Sequence, residues 1–275
     1  SEFGAGCCGF FQPSQTFVNA FKTTADGLPM LDNFNETDVT SDEGVAPTAA
    51  FTPYQGTLDP RLDWTVGRRG IPYQDWGIFP GSPWIRKQDY GGPYAPKKNV
   101  FYKSDNGTSA GSVGWGWNNN ALNFTIIRYA DVLLMAAEAE IEVGSLAKAA
   151  EYINRVRARA AASPVVNGAA PAANYLVSPY TSFAGKDDAR KAVRMERMLE
   201  LGMEGHRFFD LNRWGITADY INNVYLSKEK VRRASALGGA VFTKNKDEYQ
   251  PIPEFAINQS IKEGTPTLKQ NPGYQ

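Results

Sequence analysis

Two helical repeats separated by a single glycine constrain the fold of this chain more than any other feature. In residues 123–140, one set of side chains recurs at i, i+3, i+4 and i+7, a spacing that predicts a single buried helical face. That face comprises Tyr129, Val132, Leu133, Ala136 and Glu140. Leu134, Met135 and Ala137 widen the face, so we expect this helix to be buried around most of its circumference.

The glycine between the repeats predicts a tight turn. Asn123 is expected to cap the first helix, and Gly144 is expected to end it with a positive φ angle. Ser145 can cap a second helix, whose apolar positions are Leu146, Ala149, Ala150, Ile153, Val156 and Ala160. Because the turn is so short, the two helices must pack antiparallel, and the alanines allow close approach. The sequence therefore predicts a mainly α-helical scaffold.

Three ordered motifs connect this hairpin with the rest of the chain. They are RYADVLLMAAEA at 128–139, RMLELGMEGHRFFDLNRWG at 197–215, and PIP at 251–253 followed by QNPGY at 270–274. Together they resemble the SusD/RagB family of glycan-binding outer-membrane lipoproteins. The resemblance extends over almost the whole chain but matches only the C-terminal half of such proteins, so we expect the chain to be a fragment.

The resemblance implies both a fold and a function. The expected fold is a SusD-like domain over residues 1–275, with a loop-rich segment at 1–122 and a helical scaffold, including a tetratricopeptide-like hairpin, at 123–275. The expected function is non-catalytic binding of a polysaccharide or oligosaccharide during nutrient uptake. The implied partner is a SusC-type TonB-dependent transporter at the cell surface. Membrane attachment would depend on a lipid anchor that we do not identify in this soluble fragment.

Composition excludes several other functions. Because the 29 basic residues balance the 29 acidic residues, no net field favours nucleic acid, and we expect a neutral ligand. Cys7 and Cys8 are adjacent and lack the spacing of a metal site. His206 is the only histidine, which excludes a multi-histidine metal site. We therefore predict no cofactor and no metal.

Residues 54–117 contain the strongest signal for ligand binding. Five of the six tryptophans lie there, among glycines and prolines dense enough to exclude long helices. An aromatic face can cover the C–H groups of a sugar ring, while polar side chains bind its hydroxyls. This combination of aromatic rings, polar residues and loops is typical of a carbohydrate-binding surface.

Six residues of this segment are the first candidates for the site. They are the rings of Trp64, Tyr73, Trp76 and Trp84, with Arg68 and Asp75 as polar partners. The resemblance supports this region, because the segment after an Asp-Pro-Arg motif, here Asp59-Pro60-Arg61, contributes to the glycan face in that family. The alternative for each ring is burial against the scaffold. Trp115 and Trp117 form either a second platform or an anchor for the following helix.

Two other functions remain open at this point. A glycoside hydrolase would use two suitably separated carboxylates, with Asp59, Asp63, Asp75 and Asp89 as candidates. A helical-repeat module for protein binding is the other alternative, although one repeat alone supports it weakly. The alternating charges after Lys186 predict a further helix with ion pairs at i,i+3 and i,i+4 spacing.

Overall fold

A computed structural model describes residues 11–98, 100–105, 107–108 and 121–274 of the protein. The chain forms two compact units, Ser1–Arg207 and Phe208–Gln275. The predicted mainly α fold is confirmed, because helices dominate and the strands are only two residues long. Among the described residues, no helix is both long enough and apolar enough to cross a membrane.

Short elements make up the first part of the chain. Helix α1 (Gln15–Asn19) begins after Ser14, whose hydroxyl accepts a hydrogen bond from the Phe17 N–H at 3.2 Å. Helices α2 (Arg61–Thr65) and α3 (Gln88–Gly91) follow, and strand β1 (Val66–Gly67) pairs antiparallel with β2 (Ala95–Pro96). Across the described part of 54–117, the prediction that glycine and proline exclude long helices is confirmed.

Three longer helices form the scaffold of the first unit. Helix α4 (Tyr129–Val143) and helix α5 (Leu146–Ala161) pack against each other and against α6 (Lys186–Glu200). A small hairpin of β3 (Val166–Asn167) and β4 (Ala170–Pro171) lies between α5 and α6 in the chain. The buried core of this scaffold includes Leu133, Leu134, Ala137, Ile141, Ala149, Ile153, Val156, Ala189, Ala192 and Val193. The small alanines on all three helices permit their close packing.

The helical turn differs from the prediction in two details. Helix α4 begins at Tyr129 with Arg128 as its N-cap, so the predicted start at Asn123 is wrong. Gly144 ends α4 as expected, but its φ angle is −125°, not positive. The carboxylate of Glu140 accepts the Ser145 N–H at 2.9 Å and so stabilises this turn. The predicted cap at Ser145 is confirmed by its bond from the Lys148 N–H.

Burial of α4 is less complete than predicted. Leu134 and Ala137 are fully buried, whereas Tyr129, Val132 and Met135 are exposed. Helices α5 and α6 pack on the side of α4 that carries the buried residues, and the opposite side faces solvent. The prediction of burial around most of the circumference is therefore wrong.

The charges of α6 also have a different role from the one predicted. Arg190 and Asp187 form an i,i+3 pair at 2.7 Å, but Glu196 and Glu200 bind arginines from other segments. Both glutamates are buried. They therefore join separate parts of the fold, and the prediction of ion pairs within the helix is wrong for them.

The second unit consists of short helices and one hairpin. Helix α7 (Arg207–Arg213) begins at the last residue of the first unit and continues into the second. The elements that follow are α8 (Thr217–Asp219), a π-helix (Tyr220–Leu226), α9 (Ser227–Arg232), α10 (Ala234–Leu237), α11 (Glu254–Gln259), β5 (Ile261–Lys262) and β6 (Thr265–Pro266). The amide of Asn222 binds both backbone groups of Phe242, at 2.8 and 3.0 Å. This paired bond fixes the loop that precedes α11.

Candidate carbohydrate-binding site

Trp64 is the aromatic candidate whose environment best fits a binding surface. The residue lies in α2, is 46% exposed, and donates its indole N–H to the carbonyl oxygen of Ser163 at 2.8 Å. The ammonium of Lys97 lies over the ring, 6.0 Å from its centroid. Lys97 is buried, whereas nearly half of Trp64 remains open to solvent. The Ser163 bond and Lys97 thus hold a partly exposed indole in a fixed orientation.

The backbone that carries Trp64 is fixed by buried charges. The guanidinium of Arg68 forms two bonds to the carboxylate of Asp63, at 2.6 and 2.8 Å, and Tyr175 donates to the same carboxylate at 2.6 Å. Lys97 donates to the carbonyl oxygen of Asp63, which belongs to the peptide bond preceding Trp64. Arg68 is thus buried within the fold, where it binds Asp63, the residue that precedes Trp64. It lacks the exposure that a direct sugar contact requires.

These buried groups have shifted pKa values. Burial lowers the pKa of Lys97 to about 8, against the opposing attraction of Asp63, and the nearby Arg68 lowers it further. Burial and the neighbouring Asp63 charge raise the pKa of the Tyr175 hydroxyl. At neutral pH, Tyr175 therefore remains a hydrogen-bond donor and Lys97 remains largely protonated.

Tyr73 lies inside a small aromatic core, so the exposure predicted for it is wrong. Its ring is 1% exposed, packs at 5.5 Å from Phe79 and 6.0 Å from Trp84, and its hydroxyl donates to the carbonyl oxygen of Pro96. Burial raises the pKa of this hydroxyl. The ring is buried because Phe79 and, from strand β2, Ala95 pack against it, and Trp76, Trp84, Ile85 and Val100 surround this cluster.

Trp76, Trp84 and Asp75 occupy the margin of this core. Trp76 and Trp84 are half-buried; Trp76 packs edge-on against Phe101 at 5.8 Å and donates its indole N–H to the Phe101 carbonyl at 3.1 Å. Asp75 is exposed, and its carboxylate accepts the N–H groups of Lys103 and Ser104 at 2.6 and 2.9 Å. Partial burial alone would raise the pKa of Asp75, but the bonds from these N–H groups lower it below its ordinary value. Asp75 thus joins two turns and stays ionised.

In the described part of 54–117, two exposed aromatic rings were not among the first candidates. Tyr90 is 64% exposed and Tyr102 is 45% exposed, whereas Phe101 is buried. The alternation of Phe101 and Tyr102 is the period-two pattern of an extended segment, and it could have identified Tyr102 as outward-facing. Trp115 and Trp117 lie outside the described residues.

The four aspartates considered for hydrolysis are not arranged as a free pair. Asp59 and Asp63 are fully buried and bind Arg61 and Arg68, respectively. Asp89 is exposed beside Lys87, 3.6 Å away, and Asp75 is bound to backbone N–H groups as described above. Within the described part of the chain, no cluster of three or more histidine, cysteine or acidic residues could hold a metal ion.

A charged network anchors α2 to the helical scaffold. Arg61 binds Asp59 at 2.6 Å, Glu196 at 2.5 Å and Glu200 at 3.1 Å, and all four side chains are buried. Glu200 also binds Arg128 and Arg159. Burial alone would raise the pKa of Glu200, but the three arginines lower it to about 2. The network therefore fixes the position of Trp64 relative to α5 and α6.

Comparisons with known proteins agree on one family. The model of the SusD family matches residues 2–274. SusD-like protein P25 of Formosa agariphila is 38% identical over 108 residues, which cover 38% of this chain and 18% of that protein. SusD-like protein P2 of the same organism is 29% identical over 171 residues, covering 60% of this chain and 28% of that protein.

Solved structures share the fold. A SusD-like protein from Bacteroides fragilis matches with a TM-score of 0.56 at 19% identity, covering 96% of this chain and 47% of that protein. A SusD homolog from Bacteroides thetaiotaomicron matches with a TM-score of 0.53 at 24% identity, covering 78% of this chain and 41% of that protein. The chain thus spans less than half the length of each of these structural relatives.

Proposed function

The chain belongs to the SusD family, and we propose that it binds a polysaccharide or oligosaccharide at the exposed indole of Trp64 without cleaving it. The carrying observation is a partly exposed indole held by the Ser163 bond and the buried Lys97. Rigidity matters because a preorganised ring loses little entropy when a ligand stacks on it. Trp76 and Trp84 extend the proposed surface, whereas Tyr73 and Arg68 support it from within.

The direct test is the substitution Trp64→Ala. Covering tens of Å² of indole at ~25 cal/mol per Å² contributes about 1–2 kcal/mol, so we expect binding to weaken roughly 5- to 30-fold. Affinity electrophoresis against a panel of soluble polysaccharides measures this as lost retention in the gel. Trp64→Phe keeps a flat ring and should retain part of the binding.

Phe255→Ala is the matched control, because Phe255 is an exposed aromatic on α11 of the second unit, whereas the proposed surface belongs to the first unit. The control should bind like the unaltered protein. Equal retention of the unaltered protein and the Trp64→Ala variant on every retained polysaccharide would refute the role of Trp64. Urea midpoints of all variants establish that any lost binding does not come from unfolding.

We further propose that the parent protein acts at the outer membrane beside a SusC-type TonB-dependent transporter and is attached by a lipid anchor. The support for this location and partner is family membership alone. Affinity purification of the parent protein from detergent-extracted outer membranes should recover such a transporter in stoichiometric amount. Its absence from the purified material would contradict the proposed partnership.

A further inference from the structure

The charged network behind Trp64 has an excess of positive charge. Its members are joined by contacts of 3.1 Å or less and number five cations and four anions within the described residues. The cations are Arg61, Lys98, Arg128, Arg157 and Arg159, and the anions are Asp59, Glu196, Glu200 and Glu204. With five positive and four negative charges, the network carries one more positive charge than negative charge.

Arg159 is the most exposed member of this network. Its side chain is 57% exposed, whereas every other member is mostly or fully buried. One terminal nitrogen, Nη2, donates to both carboxylate oxygens of Glu200 at 2.6 Å. Among the described residues, Nε and Nη1 of Arg159 have no hydrogen-bond partner. The guanidinium thus offers free donors at the surface.

Two connections link Arg159 to the segment that carries Trp64. The indole N–H of Trp64 binds the carbonyl of Ser163, which follows Arg159 by four residues and lies just beyond the end of α5. In addition, Arg159 and Arg61 bind the same oxygen, Oε2 of Glu200, and Arg61 precedes Trp64 by three residues in α2. Both connections therefore join the C-terminal end of α5 to the helix that carries Trp64.

We propose that Trp64 and Arg159 together bind an acidic saccharide, in which a uronic acid residue supplies a carboxylate. This inference rests on the proposed function of Trp64. The indole covers the apolar face of the sugar ring, and Nε or Nη1 of Arg159 donates to one oxygen of the carboxylate. Since Nη2 is held by Glu200, this contact is a single charge-assisted hydrogen bond, which is stronger than a bond to a neutral hydroxyl because the charges are opposite.

Matched polymer pairs test the ligand class without any substitution. Polygalacturonate and its methyl ester differ in charge but share the sugar ring, as do alginate and its propylene glycol ester. We expect roughly tenfold stronger retention of the unaltered protein by the acidic member of at least one pair. We also expect this preference to decrease from 50 to 500 mM NaCl, because salt screens exposed charges. Equal retention by acid and ester in both pairs would overturn the inference.

The substitution Arg159→Gln tests the residue. It should remove the preference for the acidic polymer, so that the acid and the ester retain this variant equally. Its fold should persist, because Glu200 keeps Arg61 and Arg128 as partners. Arg155→Gln is the matched control: Arg155 is also exposed on α5, one turn earlier, and lies over the ring of Tyr129. This control removes the same charge and should keep the preference.

The outcomes separate this inference from the proposed function. If Trp64→Ala abolishes retention while Arg159→Gln keeps the acidic preference, the role of Arg159 is refuted and the carbohydrate site remains. If Arg155→Gln loses the preference as Arg159→Gln does, general charge explains the effect and the role of Arg159 is again refuted. If no polymer retains the unaltered protein, both the inference and the proposed function fail.

Discussion

Glu200 offers the sharpest test of how the fold holds its candidate site. The carboxylate is buried and binds Arg61, Arg128 and Arg159, which lower its pKa to about 2 from an ordinary value of 4.5. A shift of this size corresponds to about 3 kcal/mol of stability at pH 7, since each pKa unit is worth about 1.4 kcal/mol. The substitution Glu200→Gln should therefore lower the free energy of unfolding by about that amount.

The pH dependence of this loss distinguishes ionic stabilisation from packing. A carboxylate with a lowered folded-state pKa stabilises the fold above pH 4.5, and this stabilisation is lost as the pH falls through 2. The difference between the unaltered protein and Glu200→Gln should thus decrease to about 1.5 kcal/mol at pH 3. Urea unfolding followed by far-ultraviolet circular dichroism at pH 7, 5, 4 and 3 measures this difference.

Glu142→Gln is the control for this measurement. Glu142 also binds an arginine through two bonds, from Nε and Nη2 of Arg190 at 2.7 Å, but this pair is exposed. Its loss should leave the urea midpoint nearly unchanged, because water screens such pairs. A constant difference between the unaltered protein and Glu200→Gln across the pH series would refute the electrostatic argument, as would equal effects of the two substitutions.

Two further predictions concern stability in other parts of the first unit. Burial lowers the pKa of Lys97 to about 8, below the unfolded value of 10.5, so the folded state holds fewer protons above pH 8. The urea midpoint should rise between pH 8 and 9.5, and Lys97→Met should abolish the rise; a flat profile for the unaltered protein would contradict it. Leu134→Ala should cost about 3–5 kcal/mol because it leaves a cavity in the core, whereas the adjacent, exposed Met135→Ala should cost far less, as compared in the same urea titration. Similar losses for both substitutions would show that α4 is covered on both sides.

Local patterns predicted the elements of the scaffold well because short-range chemistry determines them. Ser145 caps α5 in both the sequence and the structure, and glycine and proline keep the described aromatic segment free of long helices. The start of α4 could not be predicted in this way. Asn123 is a good capping residue, but Arg128 is held by Glu200 and Glu204, which are more than seventy residues away in the chain. The helix therefore starts beside a residue, Arg128, that is held by contacts with a distant part of the chain, and local sequence does not contain this information.

The candidate site was predictable in its region but not in the exposure of each ring. Trp64 and Tyr73 both stand in loop-rich sequence beside polar residues, and nothing local distinguishes them. Their difference arises because Phe79 and Trp84 pack around Tyr73, whereas Trp64 contacts Lys97 and Ser163 and remains 46% exposed. Burial of a ring depends on which distant segments reach it, and that information is absent from spacing alone.

Net charge illustrates the same limit for the choice of ligand. The balance of 29 basic and 29 acidic residues predicts a neutral ligand, because it averages over the whole chain. A ligand, however, responds to charges within about one Debye length, roughly 8–10 Å. Folding brings Arg61, Arg159 and Glu200 together from positions up to 139 residues apart, and the exposed member of that group is a cation. A chain without net charge can therefore present a positive site, and the matched acid and ester polymers decide whether this one does.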